Sequence, residues 1–147
     1  SMVVTIQKEL ADRIVAEPWS KDYGALSVWI QSQATAEIVR VLPPQVFWPA
    51  PKVTSAVVRI VVDPERRQAV GNLRFVHQMT KALFLHRRKF LRANIVSALK
   101  GQASKQDIDQ VMEELELDAD TRTEQLDVST LLTLVARIHR LAPDWTT

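Results

Sequence analysis

The hydrophobic period of this chain changes once, near residue 63, and the change limits the folds open to it. Before that point apolar residues run together or alternate. Val3-Val4-Thr5-Ile6 is a short, β-rich run, and Val53 to Val62 is a long β-branched one closed by Asp63-Pro64. Runs of this kind between turn signals read as strands. Glu37 to Leu42 reads as a third, ended by Pro43-Pro44. Lys8 to Ala16 has Leu10, Ala11, Ile14 and Val15 on one helical face and stops before Pro18. Leu26 to Ala34 fits either period and is read as a short helix. The first part is therefore strand, helix, short element, strand, proline-rich turn, strand: the end of an α/β layer.

After Asn72 the period is helical throughout. Leu73, Val76, Thr80, Leu83 and Phe84 form one stripe, and Leu91, Ile95, Ala98 and Leu99 form the next, with Gly101 as its C-cap. Ser104 is placed to cap a helix carrying Ile108, Val111, Met112 and Leu115, and Asp127 one carrying Val128, Leu131, Leu132, Val135 and Ile138. The expected organisation is an α/β part over 2–63, a linker over 64–71 and a small all-α part over 72–147. The α/β part is thin. A parallel-type strand with one helix and two further strands leaves a sheet edge and an apolar face open. Such a piece belongs to something larger or associates with another copy of itself.

Charge is segregated along the chain. The net charge is +2, yet Arg66 to Gln106 holds ten Lys and Arg and no acid, while Asp107 to Asp127 holds nine acids and one base, Arg122. One reading pairs the two blocks within one domain. The other is a polyanion-binding face for RNA or DNA. The chain has no cysteine, which excludes disulfides, thiolate metal sites and a cysteine nucleophile, and fits a reducing compartment. Three glycines, none in a phosphate-cradling cluster, exclude a P-loop and a dinucleotide fingerprint. No run is long enough to span a membrane, and no secretory signal stands at the start, where Ser1-Met2 reads as a cleavage scar before an initiator methionine. His77, His86 and His139 show no metal-ligand spacing, so no metal is expected.

Two motifs carry chemistry. In Phe84 to Asn94, four of the six residues from Arg87 to Arg92 are basic. Read as a helix, Arg88 and Arg92 share a face, Lys89 lies beside them, and Arg87 sits at the turn. Guanidinium groups held in this way suit phosphate. In Phe47-Trp48-Pro49-Ala50-Pro51-Lys52-Val53, two prolines stiffen an extended segment around adjacent aromatics. These either plug the end of the sheet or stack on a base. Gln7-Lys8-Glu9, where a strand runs into a helix, is by itself a plain helix start.

Taken together these residues resemble the KsgA-type rRNA adenine N6,N6-dimethyltransferase family. The likeness runs through Gln7-Lys8-Glu9 with Ala11-Asp12-Arg13, Ser20 to Val28, Pro43-Pro44, Phe47-x-Pro49-x-Pro51-Lys52-Val53-x-Ser55-Ala56-Val57-Val58, and Arg87-Arg88-Lys89-x-x-Arg92-x-Asn94. The related erythromycin-resistance rRNA methyltransferases share the Phe-x-Pro-x-Pro-x-Val stretch. The chain departs from the pattern at Ala50, where a third proline is usual, at Thr54 for Asp and at His86 for Gln.

The resemblance implies a Rossmann-like methyltransferase sheet, of which this chain holds the last strands, followed by the helical domain. It implies methyl transfer from S-adenosylmethionine to the N6 amines of two adjacent adenines of small-subunit rRNA, in the cytoplasm. The family's glycine-rich cofactor loop and its Asn-Leu-Pro-Tyr motif fall before Val3. The chain is thus expected to hold no S-adenosylmethionine, to lack catalytic residues and to be inactive alone. Phe47 matches the aromatic that stacks on the flipped adenine. Lys52, Arg87, Arg88, Lys89 and Arg92 would hold phosphates of rRNA in the immature small subunit. The alternative is a non-catalytic nucleic-acid-binding module, of a ribosome-assembly or transcription-factor branch.

Overall fold

A computed structural model describes all residues from Ser1 to Thr147. The chain divides into two compact units, Ser1–Ala69 and Val70–Thr147.

The first unit holds three strands, β1 (Met2–Gln7), β2 (Ala34–Leu42) and β3 (Ser55–Val62), and three helices, α1 (Lys8–Val15), α2 (Ala25–Gln31) and α3 (Pro64–Ala69). The strand order is β1-β3-β2, and β3 pairs antiparallel with both neighbours. The last strand therefore inserts between the first two, which run in the same direction without touching. The N-terminal strand is parallel in direction, as expected, but every ladder in the sheet is antiparallel. β2 begins at Ala34, earlier than its alternation suggests, because Ala34 pairs with Val62 at the far end of the long β3. A bulge between Ile38 and Arg40 shifts the register.

Ala11 of α1 packs on Ala34, Ala56, Val58 and Ile60, with Val4, Ile6, Ile30, Ala36 and Ile38 around them. Alanines at the contact let the helix lie close to the sheet. The opposite face carries Val3 and Thr5, both exposed, and the cross-strand pair Glu37–Arg59. The end of α1 is satisfied by α2. Gln31 Nε2 donates to the carbonyls of Ile14 and Ala16 at 2.9 and 2.8 Å, and Ser27 Oγ donates to that of Arg13.

The segment 64–71, expected as a linker, begins as α3. Asp63-Pro64 ends the strand and also starts a helix. The Asp63 carboxylate accepts from the Arg66 amide at 3.1 Å, and Pro64 takes the first helical position, where its missing N–H is harmless.

The second unit holds α4 (Leu73–Phe84), α5 (Leu91–Leu99), α6 (Lys105–Glu114) and α7 (Val128–Leu141). Their inward stripes include Met79, Leu83, Leu91, Leu99, Leu131, Leu134 and Val135, all fully buried. Ser104 and Asp127 cap as their positions predict, accepting from the amides of Asp107 (3.0 Å) and Thr130 (2.7 Å). Lys100, not Gly101, is the cap of α5. It adopts φ 49°, and Gly101 follows at φ 82°.

Phe84 to Asn94 is not one helix. α4 stops at Phe84, Leu85–Arg88 is a turn, and α5 starts at Leu91. Arg88 and Arg92 therefore do not share a helical face. The break has a local cause. In a continuous helix the Leu83 carbonyl would take the Arg87 amide. Here it accepts from Asn94 Nδ2 at 3.1 Å and from Thr123 Oγ1 at 2.9 Å, while Asn94 Nδ2 also donates to the His86 carbonyl at 3.2 Å. Asn94 and Thr123 are 2% and 3% exposed.

Two outcomes are expected. Asn94→Leu keeps the size but removes one of the two donors to each of the Leu83 and His86 carbonyls, so urea unfolding should show a loss of about 0.5–1.5 kcal/mol. Amide exchange across Leu85–Lys89 should accelerate with it; unchanged stability would mean that Asn94 does not hold the turn. The hydroxyl and amide of Thr130 hold the Asp127 carboxyl below its ordinary range. Its contribution is complete above the unfolded pKa and disappears as pH falls through the lower folded value. Asp127→Ala should therefore cost about 0.5–2 kcal/mol at neutral pH. The gap should close in acid, below roughly pH 3.9.

Candidate nucleic-acid interface

In the first unit, the loop between β2 and β3 returns to the end of β1, where the Lys8 amide donates to the Thr54 carbonyl at 2.9 Å. This places Val53 and Thr54 beside the β1–α1 junction, around a concavity of about 320 Å³ that also takes in Lys8, Asp12, Lys21 and Asp22. The charges of Gln7-Lys8-Glu9 are largely satisfied along α1. Lys8 pairs with Asp12 and Glu9 with Arg13, both at 2.8 Å and i,i+4. Farther out, Pro44–Val46 forms a single 3-10 turn, and the Phe47 amide donates to the Pro44 carbonyl at 3.2 Å. Phe47 is half-buried, whereas Trp48 beside it is 96% exposed. The Trp48–Pro49 peptide is cis. Lys52 is exposed and makes no ion pair.

These residues do not make a site for S-adenosylmethionine. The strand-to-helix junction at the carboxyl end of β1 passes from Gln7 to Lys8 with no intervening loop and no glycine. No backbone cradle for a methionine-bearing nucleoside is formed there.

In the second unit, the turn between α4 and α5 separates the four cations into two kinds. Arg87 pairs with Glu124 at 3.2 Å. Arg92 makes two hydrogen bonds to the Asp109 carboxylate, at 2.5 and 3.1 Å. Those bonds raise the Arg92 pKa and hold Asp109 below the usual carboxylate range. Arg122, the one base of the acidic block, lies 5.7 Å from the Phe90 ring centroid. Arg88 and Lys89 are exposed and form no ion pair. The basic and acidic blocks thus pair through Arg87 and Arg92 and leave Arg88 and Lys89 open.

No group of three or more His, Asp or Glu is placed to hold a metal. His139 is a packing residue, its ring 4.2 Å from that of Phe75. No helix is long and apolar enough to cross a membrane. Sequence reasoning gave Asn94 no role, although an amide on the apolar stripe of Leu91, Ile95 and Leu99 signals a buried polar anchor. Thr123 lies in a connector and shows no such signal.

Residues 1–134 match the family model described as ribosomal RNA adenine dimethylase. Among curated relatives, a ribosomal RNA small subunit methyltransferase A from a Geobacillus species is 42% identical over 126 residues, covering 85% of this chain and 43% of its own length. The protein of that name from Desulfitobacterium hafniense is 43% identical, over 87% of this chain and 45% of its own length. The chain spans less than half the length of these relatives. In overall fold it is similar to a dimethyladenosine transferase from Plasmodium falciparum, with a TM-score of 0.81 at 21% identity over 95% of this chain and 58% of that one. It is also similar to the 23S rRNA methyltransferase ErmE, with a TM-score of 0.59 at 18% identity over 92% of this chain and 53% of that one. Match, coverage and fold agree: this chain belongs to the ribosomal RNA adenine dimethylase family.

Proposed function

We propose that this chain is the rRNA-docking part of an S-adenosylmethionine-dependent enzyme that dimethylates N6 of two adjacent adenines in small-subunit rRNA. The observation that carries this reading is the pair Arg88–Lys89. Both are exposed and lack a carboxylate partner, in the segment after α4, where buried Asn94 binds the Leu83 and His86 carbonyls and Thr123 also binds that of Leu83. Cations fixed in this way meet phosphate with less ordering cost than cations on a mobile tail. Lys52 is a further phosphate contact, in the first unit. Phe47 is the aromatic for the extruded adenine, with Trp48 as its exposed neighbour. Arg87 and Arg92 join phosphate binding only by releasing Glu124 and Asp109, so their share is smaller. Phosphate contacts of this kind set the register of the RNA and leave the choice of base to a pocket.

Two outcomes follow. Binding to a small-subunit rRNA hairpin, titrated over a salt series, should weaken linearly on logarithmic axes. Arg88→Ala with Lys89→Ala should flatten the slope by roughly 1.4–1.8 units, at about 0.7–0.9 for each of two phosphates no longer neutralised. Arg92→Ala should change it by less than about one; equal slopes for all three proteins would remove the turn from RNA binding. In calorimetry, the 147-residue chain should give no saturable heat with micromolar S-adenosylmethionine. A saturable signal would overturn the assignment of donor binding to residues outside this chain.

A further inference from the structure

One concavity of the helical unit is lined by no residue of the acidic block. It has a volume of about 540 Å³, and its wall is formed by α4, the following turn, α5 and the C-terminal segment. That size falls within the range of small-ligand sites, about 300–1,000 Å³. Its lining includes two lysines, Lys81 and Lys100, and two histidines, His77 and His86. No Asp or Glu side chain lines it, its one anionic group is the α-carboxylate of Thr147, and neither Lys81 nor Lys100 forms an ion pair. The rest of the wall differs in kind. Leu85, Ala98 and Trp145 offer apolar surface, and the Trp145 indole N–H is fixed by the Ala98 carbonyl at 2.7 Å. Gln78 and Ser97 add uncharged hydrogen-bonding groups.

Two ammonium groups against the single α-carboxylate of Thr147 leave the wall net positive, which calls for an anion. An apolar wall with amide and hydroxyl groups calls for a flat, largely apolar body with a polar edge. A hydrated inorganic ion leaves that wall unused, and a plain hydrocarbon leaves the cations unused. We propose that this cavity binds one nucleoside monophosphate unit, its phosphate held by Lys81 and Lys100 and its base against Leu85 and Ala98. The unit comes from a free nucleotide or from an unpaired nucleotide within RNA. The proposal goes beyond the docking reading and does not need it, since Arg88 and Lys89 do not line the cavity.

The three histidines provide the test, because His77 and His86 line the cavity while His139 packs on Phe75. The 147-residue chain, its imidazole resonances assigned, is titrated with AMP, inorganic phosphate and adenosine in turn. AMP should give saturable shifts at His77 and His86 in the millimolar range or below, with His139 unmoved. Phosphate and adenosine alone should each bind at least about tenfold more weakly. Lys81→Gln combined with Lys100→Asn, which suits the left-handed backbone at position 100, should weaken AMP about tenfold. An unchanged His139 signal shows that the variant is folded. Arg88→Ala with Lys89→Ala should leave AMP binding unaltered, so loss of hairpin binding and loss of nucleotide binding are separable. Displacement of AMP by a single-stranded oligonucleotide at lower concentration assigns the site to RNA, and absence of displacement assigns it to free nucleotide. No saturable shift, equal shifts at all three histidines, or wild-type affinity in the double lysine variant would overturn the proposal.

Discussion

The helical unit depends on one carbonyl. At the end of α4 the Leu83 oxygen is withdrawn from the helical ladder and shared by the Asn94 amide and the Thr123 hydroxyl. A buried carbonyl without a donor is costly, so these two side chains decide that α4 ends where it does. Ending the helix there throws out the turn with His86, Arg87, Arg88 and Lys89, and the second Asn94 bond, to His86, fixes how that turn leaves. The same contacts tie α4, α5 and the acidic connector together, since Thr123 belongs to the connector and the Leu91 amide donates to the Thr121 carbonyl at 2.7 Å. Fold and candidate site therefore share a cause.

The electrostatics follow from that arrangement. The connector brings Glu124 to Arg87, and α6 brings Asp109 to Arg92. Exposed pairs of this kind add little to stability, typically about 0–1 kcal/mol each. Their larger effect is to sort the cations. A basic stretch that looks uniform in sequence becomes two arginines committed to the protein and a neighbouring Arg-Lys pair offered to solvent. Segregated charge is thus partly internal complementarity and partly an outward positive field, and the net charge of +2 describes neither.

Much of the architecture was legible because local signals agreed. The β-branched run before Asp63, the apolar stripes after Asn72 and the caps at Ser104 and Asp127 each point to the element that forms. The failures share a feature: a side chain acts on backbone far away in sequence. The stripe from Phe84 to Asn94 is compatible with one helix, and the break rests on Asn94 together with Thr123, which is forty residues from Leu83. The central place of β3 in the sheet is likewise a matter of strand order, which periodicity does not encode. Asp63-Pro64 was ambiguous in principle, because an acid before proline both ends a strand and starts a helix. At the candidate site, residue type picked out the basic cluster and the aromatic loop. Which cations are free, and that Trp48 rather than Phe47 stands in solvent, depend on tertiary placement.

The central claim is that Arg88 and Lys89 meet RNA while Arg87 and Arg92 stay with their carboxylates. Arginine Nε–H resonances followed during titration with a small-subunit rRNA hairpin test it most directly. The account predicts a saturable shift at Arg88 that salt reverses, with Arg92 unmoved on Asp109 and Arg87 moving little on Glu124. A shift of Arg92 and Arg87 with Arg88 silent would contradict it, as would a spectrum that the hairpin leaves unchanged.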